Sequence, residues 1–318
     1  MSGTVSFPKD LWALILGGSS GFGLATAKKL ARSGMSVVCV HRDRKGAMAK
    51  IEDEFEKIRA TGVGFQSFNL DALSNEGRAT VLNALAETAK SGARVRLLMH
   101  SIAFGNLKLL APDSPKATEA ATRARARLAE QLGISVDVLT EAVRTVSASE
   151  GADALADLAG PPTYGESLLE DEDFARTVYS MGTSMATWTQ DLFARGLFAP
   201  DARVIGMTSE GNEVAWRGYA AVSAAKVALE SVARSIALEL APYGVRCNVV
   251  QAGVTDTPAL RLIPGSAQMK AAARLRNPFG RLTTPDDVAD VIALLCTDEA
   301  RWVNGTILRV DGGEHIAG

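Results

Sequence analysis

Residues 11–16 form an apolar run that passes straight into Gly17-Gly18-Ser19-Ser20-Gly21-Phe22-Gly23, and an amphipathic stretch follows to residue 32. A short strand that turns through glycines into a helix opens a βαβ unit. The helical crossover brings the chain back to the same sheet in the parallel sense. The rest of the chain keeps this rhythm. An apolar run at 35–40 precedes a charged helix at 46–61 closed by Gly62. Strand 63–70, helix 76–91 and strand 95–99 follow. After a long break, strand 203–207, helix 219–240 and strand 245–250 resume the alternation. Helix 286–295 starts behind Thr284-Pro285, and strand 306–310 ends at Asp311-Gly312-Gly313. This pattern predicts an α/β fold, a doubly wound parallel sheet of Rossmann type, in a single domain spanning 1–318.

The break, residues 106–173, is rich in Ala, Arg, Glu and Leu and reads as a helical insertion after the fourth strand. Ser114-Pro115 is expected to open a helix that Gly133 closes. Ser135 opens another, with Val138, Leu139, Ala142, Val143 and Val146 on one face. Ser149 opens a short third, ended by Gly160-Pro161-Pro162.

Composition narrows the function. A formal net charge of -2 argues against nucleic-acid or anionic-membrane partners. Cys39, Cys247 and Cys296 are far apart in apolar surroundings, so they read as buried thiols in a reducing cytoplasm and not as a metal site or disulfide framework. The N-terminal residues lack a secretory pattern, and no apolar run approaches the roughly 20 residues that span a bilayer.

The glycine segment lies where a strand meets a helix N-terminus. There, Gly17, Ser19, Ser20, Gly21, Phe22 and Gly23 can bring backbone amides and a favourable dipole to a dinucleotide pyrophosphate. The end of the second strand selects the cofactor. An acid there would hold an adenosine ribose, but this chain has His41-Arg42. An arginine fork suits a ribose 2′-phosphate, which points to NADPH; the alternative is a solvated basic turn. Asn69-Leu70 ends the third strand, where it can edge the adenine.

Tyr219 and Lys226 stand seven positions apart at the head of the 219–240 helix. Two helical turns place them on one face, about 20° apart and about 10 Å along the axis. A phenol can donate to a substrate oxygen, while a neighbouring ammonium keeps the field positive and grips ribose hydroxyls. A half-exposed Tyr beside a solvated Lys is the plain alternative.

Three further segments carry a resemblance. His100-Ser101-Ile102-Ala103-Phe104 follows the fourth strand. Six residues separate Tyr219 from Lys226, and Val222 takes the position where ketoreductases have their tyrosine. Gln251-Ala252-Gly253-Val254-Thr255-Asp256-Thr257 forms an Ala-Gly-x-x-x-Thr turn. With these, the chain resembles the short-chain dehydrogenase/reductase family and, within it, the enoyl-acyl-carrier-protein reductases of the short-glycine-loop, NADPH-using branch. Ser209 stands where many enoyl reductases place a second tyrosine. The resemblance covers roughly 8–105 and 174–318 and leaves the insertion out.

The resemblance implies hydride transfer from NADPH to the β-carbon of an enoyl thioester, carried on acyl carrier protein or coenzyme A, in fatty-acid or related acyl synthesis. Tyr219, Lys226 and Thr208 would be catalytic. Ser101, Ile102, Ala103, Ala252, Gly253, Val254 and Thr257 would join the cofactor contacts, and Ser180 or Ser184 could supply a further polar group. It also implies a homotetramer, with the last strand and the 314–318 tail near a subunit contact. Two other functions fit the same motifs, a reductase of ketones or other activated alkenes and a non-catalytic dinucleotide-binding regulator. Because ligands of such sheets bind beyond the carboxyl ends of the strands, the insertion is rooted beside the site. It is expected to form a helical cap over, or beside, the acyl pocket that limits solvent access and shapes chain-length preference; the alternative is an outer packing or oligomer decoration.

Overall fold

The computed structural model describes residues 5–112, 115–147, 153–160 and 162–317. Seven strands form one sheet in the order β3-β2-β1-β4-β5-β6-β7. They are β1 (Leu11–Leu16), β2 (Ser36–His41), β3 (Phe65–Asn69), β4 (Arg94–His100), β5 (Phe198–Ser209), β6 (Val245–Ala252) and β7 (Ile307–Val310). Every pairing is parallel. Leu16 is paired with Val40 on one side and with His100 on the other. The order reverses between β1 and β4, so the chain leaves these two strands in opposite directions and opens a crevice at their carboxyl ends.

Helices cover both faces, which is why β2 is buried along its whole length. On one face, α1 (Gly21–Arg32), α2 (Met48–Arg59) and α11 (Pro285–Leu295) bring Leu30, Phe55 and Ile292 onto Ile15 and Val37. On the other, α3 (Asn75–Ala89), α7 (Ser184–Ala194) and α8 (Ala220–Glu239) pack Leu82, Trp188 and Leu229 onto Leu14 and Leu98. The predicted start of α11 is present as a capping box: Thr284 Oγ1 accepts from Asp287 N, and the Asp287 carboxylate accepts from Thr284 N. Among the described residues, no helix is long and apolar enough to cross a membrane, and no cluster of His, Cys, Asp or Glu could hold a metal.

Three parts differ from the sequence reading. β5 begins at Phe198 and not at residue 203. Its charged residues are absorbed by an ion network at the amino end of the sheet. The guanidinium groups of Arg96, Arg203 and Arg246 converge on Asp201, and Arg96 and Arg203 also donate to the Leu295, Cys296 and Thr297 carbonyls at the end of α11. Second, α9 (Pro258–Arg261) and α10 (Ser266–Arg276) follow β6, where no helices were predicted; α10 is too alanine- and charge-rich to show an apolar period. Third, α6 (Asp171–Val178) joins α7 through a π-helical turn, Tyr179–Thr183.

The insertion contains α4 (Pro115–Leu132), α5 (Val136–Ser147) and a 3₁₀ turn, Asp153–Ala159. The openers Ser114 and Ser149, and Pro161, lie outside the described residues. The predicted α5 face is only half used. Leu139 and Val143 pack with Ala129 and Leu158, whereas Val138, Ala142 and Val146 are exposed.

Candidate active site

The β1–α1 turn has no room for a side chain at Gly17, Gly18 or Gly23. A Cβ on Gly17, whose φ is 90°, would lie 2.5 Å from Ser101 O, and one on Gly23 would lie 2.1 Å from Gly17 O. The Gly17 and Gly18 amides bond to Val40 O, which pins the turn across β1 and β2. Ser20, the N-cap of α1, makes no side-chain capping bond. The first-turn amides of α1 are therefore available at the crevice, a cradle that fits a pyrophosphate. Ser19 and Gly21 complete the turn, and Phe22 lines the adjoining cavity.

At the mouth of β2, His41 stands where an acid would hold an adenosine ribose. Its imidazole is 1% exposed, meets the Phe55 ring edge-on at 5.5 Å and bonds Asp43 Oδ2 at 2.9 Å. The ring is turned into the protein, so the groups left to face a ribose are Asp43 and Arg42. The Arg42 guanidinium is half exposed, pairs with Asp71 at 3.1 Å and stacks over the Phe104 ring at 4.9 Å; Arg176 lies over the same ring at 5.3 Å. Asn69 holds this mouth in place. Its amide accepts from Asp43 N and donates to Asp43 O, while Leu70 N bonds His41 O.

Beyond the crevice lies a cleft of about 210 Å³. Ser101, Ile102 and Ala103 form its β4 side, and Ala252, Gly253, Val254 and Thr257 its β6 side. Tyr219 and Lys226 both line it, as the sequence spacing required. Tyr219 is the N-cap residue of α8. Burial pushes its phenol above the usual tyrosine range, and the nearby Ser209 hydroxyl works the other way. Ser209 Oγ is itself buried and lacks a well-formed hydrogen bond. The Lys226 ammonium is buried and donates to Met207 O at 2.8 Å; burial lowers its pKa to about 8, against the pull of Glu230.

Thr208 was expected to offer its hydroxyl to the reaction. The structure commits that proton to Glu230 Oε1 at 2.5 Å, where Asn212 also donates at 2.7 Å. Ser180 and Ser184 turn away from the cleft. Ser180 Oγ donates to the Phe104 and Thr177 carbonyls, and Ser184 Oγ donates to Ser180 O and contacts His100 Nε2 at 2.8 Å. The single Ser184 proton is shared between these two neighbours, and the His100 tautomer sets which of them receives it. Burial lowers the His100 pKa to about 3, so the ring is neutral at any working pH.

Two carboxylates of the site escaped the sequence reading. Glu230 lies four residues after Lys226 on α8, an i,i+4 spacing that could have flagged it. Glu314 had no such signal. It accepts from Val254 N at 3.1 Å, so that backbone amide is already engaged, and it pairs with Arg276, which also binds Glu210. Burial raises the Glu314 pKa, with Arg276 opposing. The tail expected at a subunit contact thus begins inside the wall of this chain's own cleft, although Ile316 beyond it is exposed.

Residues 114–315 match the family model described as enoyl-(acyl carrier protein) reductase, and residues 11–108 match that of short chain dehydrogenases. The chain belongs to the short-chain dehydrogenase/reductase family. The chain is 36% identical to the NADH-using enoyl-acyl-carrier-protein reductase FabI of Aquifex aeolicus over 36% of its own length and 43% of that protein. It is 37% identical to a cis-4-hydroxycyclohexanecarboxylate dehydrogenase of Sinomonas cyclohexanicum over 36% of this chain and 45% of the relative. These matches span less than half the length of either relative. In fold, the chain superposes on the Aquifex aeolicus enzyme with a TM-score of 0.68, 21% identity and 99% of both chains covered. It superposes on a Burkholderia cenocepacia short-chain dehydrogenase in complex with NADP with a TM-score of 0.65 and 21% identity, covering 98% of this chain and 100% of that one.

The family's nicotinamide dinucleotide provides a test of the Lys226 environment. An ammonium that binds the cofactor is lost as pH rises through its pKa. Dinucleotide affinity should therefore hold below pH about 8 and weaken above it. Fluorescence titrations across pH check this. Undiminished affinity up to the ordinary lysine range would contradict it.

Proposed function

We propose that the protein is an NADPH-dependent enoyl thioester reductase. The observation that carries this reading is the head of α8. Tyr219 and Lys226 face one cleft, while Val222, where a ketoreductase needs its phenol, presents a buried apolar side chain to it. When a ketone is reduced, the proton donor must sit beside the carbon that receives the hydride. When an enoyl thioester is reduced at Cβ, charge develops further along the conjugated system, on the thioester oxygen. A tyrosine anchored three residues earlier on the helix is displaced by about 4.5 Å, which follows that charge.

The residues present fit a nicotinamide dinucleotide. The glycine turn would take the pyrophosphate, Ser101 to Ala103 and the turn from Ala252 to Thr257 would flank the nicotinamide half, and Lys226 would hold ribose hydroxyls. When bound, the reduced cofactor supplies the hydride. Tyr219, kept protonated by burial, donates to the developing enolate oxygen. Thr208 and Glu230 act through position, since their hydrogen bond fixes the β5 end against α8. The apolar walls, including Leu107, Met181, Trp216 and Met269, suit an acyl chain and exclude water.

Arg42 supports NADPH. Arg42→Ala should raise the NADPH KM roughly tenfold or more and leave NADH nearly unchanged. A second cofactor reading rests on Asp43, an acid held at the same mouth by His41. Steady-state kinetics of wild type and variant with both cofactors separate the two, and equal use of NADH and NADPH by the wild type would defeat the first. The reaction itself is tested by mixing protein, NADPH and crotonyl thioester and following nicotinamide absorbance, with a ketone panel alongside. Turnover of ketones alone would move the protein to the ketoreductases, as its likeness to the Sinomonas dehydrogenase allows.

The proposal includes a homotetramer. β7 is an edge strand with one side unpaired, Ile307 is exposed on it, and Trp302 just before it is 93% exposed. Light scattering should give four subunits per particle, and a monomer at micromolar concentration would refute this.

A further inference from the structure

The helical insertion stands beside the cleft. Of its described residues, Leu107 alone lines the cavity, and α4 and α5 pack on each other and on the 3₁₀ turn. What the insertion touches is the frame around the cleft. Its two stems are joined by the Leu109–Leu168 bridge and by Leu169 N bonded to Leu109 O at 2.9 Å. On one side, Tyr164 Oη donates to Arg217 O at 3.1 Å. Its ring lies against Gly218, where a Cβ would come within 2.8 Å of it. This is the turn that delivers Tyr219 to the head of α8. On the other side, the 3₁₀ turn rests on α10. Asp153 is 8% exposed and accepts from Arg274 at 2.8 Å (Nε) and 2.6 Å (Nη2). Gln268 Nε2 donates to Gly160 O at 3.0 Å. Gln268 is the neighbour of Met269, which lines the cavity together with Leu262 and Ile263.

We propose that the insertion is a brace that sets the width of the acyl pocket, and that Asp153 and Arg274 are its positioning residues. α10 carries a cavity wall, but none of its residues belongs to either large core cluster of the sheet. Its anchors to the insertion include a charge-assisted pair in which Arg274 Nε and Nη2 both donate to Asp153 Oδ1. The brace holds this wall at a fixed separation from the Trp216–Tyr219 turn. The length of chain that fits between them is thus determined by residues that never touch the substrate. This inference rests on the proposed acyl substrate for its specificity arm and on the structure alone for its mechanical arm.

The test compares Asp153→Asn with wild type and with the exchanged pair Asp153→Arg/Arg274→Asp. Hydrogen exchange in Asp153→Asn should be faster by roughly tenfold in residues 266–276 and unchanged in β1 and β4. The kcat/KM ratio of dodecenoyl to crotonyl thioester should shift roughly tenfold towards the long chain, through KM, with kcat on crotonyl thioester kept. The exchanged pair should return both towards wild type. If the wild type reduces no enoyl thioester, the reaction proposed above fails, and the length profile is then read on 2-ketones of matching length. Unchanged exchange in α10, or faster exchange with an unchanged length profile, overturns the brace.

Discussion

Tyr219→Phe is expected to lower kcat on an enoyl thioester by about 10²–10³-fold while NADPH still binds, since the lost group is a single donor to a developing oxyanion. The substitution removes one oxygen from a side chain that is otherwise held by packing in a cluster with Met181, Val222 and Ala225. The fold and the dinucleotide cradle at the β1–α1 turn should be unaffected. Ser209 Oγ, which lines the cleft without a well-formed hydrogen bond, is a hydroxyl still at hand, but the other candidates are committed or lack a proton. Val222 has no proton to give, Thr208 has given its own to Glu230, and Ser180 and Ser184 are bonded to backbone carbonyls away from the cleft. Lys226 could replace the donor only by leaving Met207 O. Single-turnover kinetics and a fluorescence titration of NADPH separate the chemical from the binding effect. Wild-type turnover by the variant would remove Tyr219 from the mechanism.

Asp201→Ala should cost about 3 kcal/mol of folding stability, the scale for removing one partner of a buried ion pair. The Arg203 side chain is 1% exposed and that of Arg96 7%, and both pair with Asp201, at 2.5 Å and 2.8 Å. Without the carboxylate, two buried guanidinium groups keep only their bonds to carbonyls at the end of α11 and, for Arg96, to the exposed Asp298. Asp201 lies at the amino end of the sheet, opposite the cleft, so kcat should stay near wild type wherever the variant is folded. Urea unfolding measures the loss. A change below about 0.5 kcal/mol would mean that the cluster is decorative.

The parts of the site that could be read from the chain are those whose chemistry is local. The glycine turn joins one strand to the next helix, and the Tyr219–Lys226 pair lies within two turns of α8, so spacing alone brings each set together. The sheet was legible for the same reason, since each strand is its own apolar run. What escaped depends on contacts between distant segments. Glu314 reaches Val254 and Arg276 only because the chain end folds back over β6. α10 is an alanine- and charge-rich helix whose place is set by the insertion. The first residues of β5, up to Asp201, were not read as strand, because a stretch that carries an ion network has no apolar pattern. His41 is the last residue of β2, where the side chain's face depends on a single register step. The turn of its ring onto Phe55 cannot be seen in the order of residues.

The central claim is that hydride goes to a carbon remote from the oxygen that Tyr219 serves. Crotonyl thioester reduced with NADPH that carries deuterium at the transferable position of C4, followed by NMR of the product, tests this directly. Deuterium at Cβ of a butyryl thioester is the predicted result. No label in any saturated thioester, with label instead on the carbinol carbon of an alcohol formed from a ketone, would contradict it.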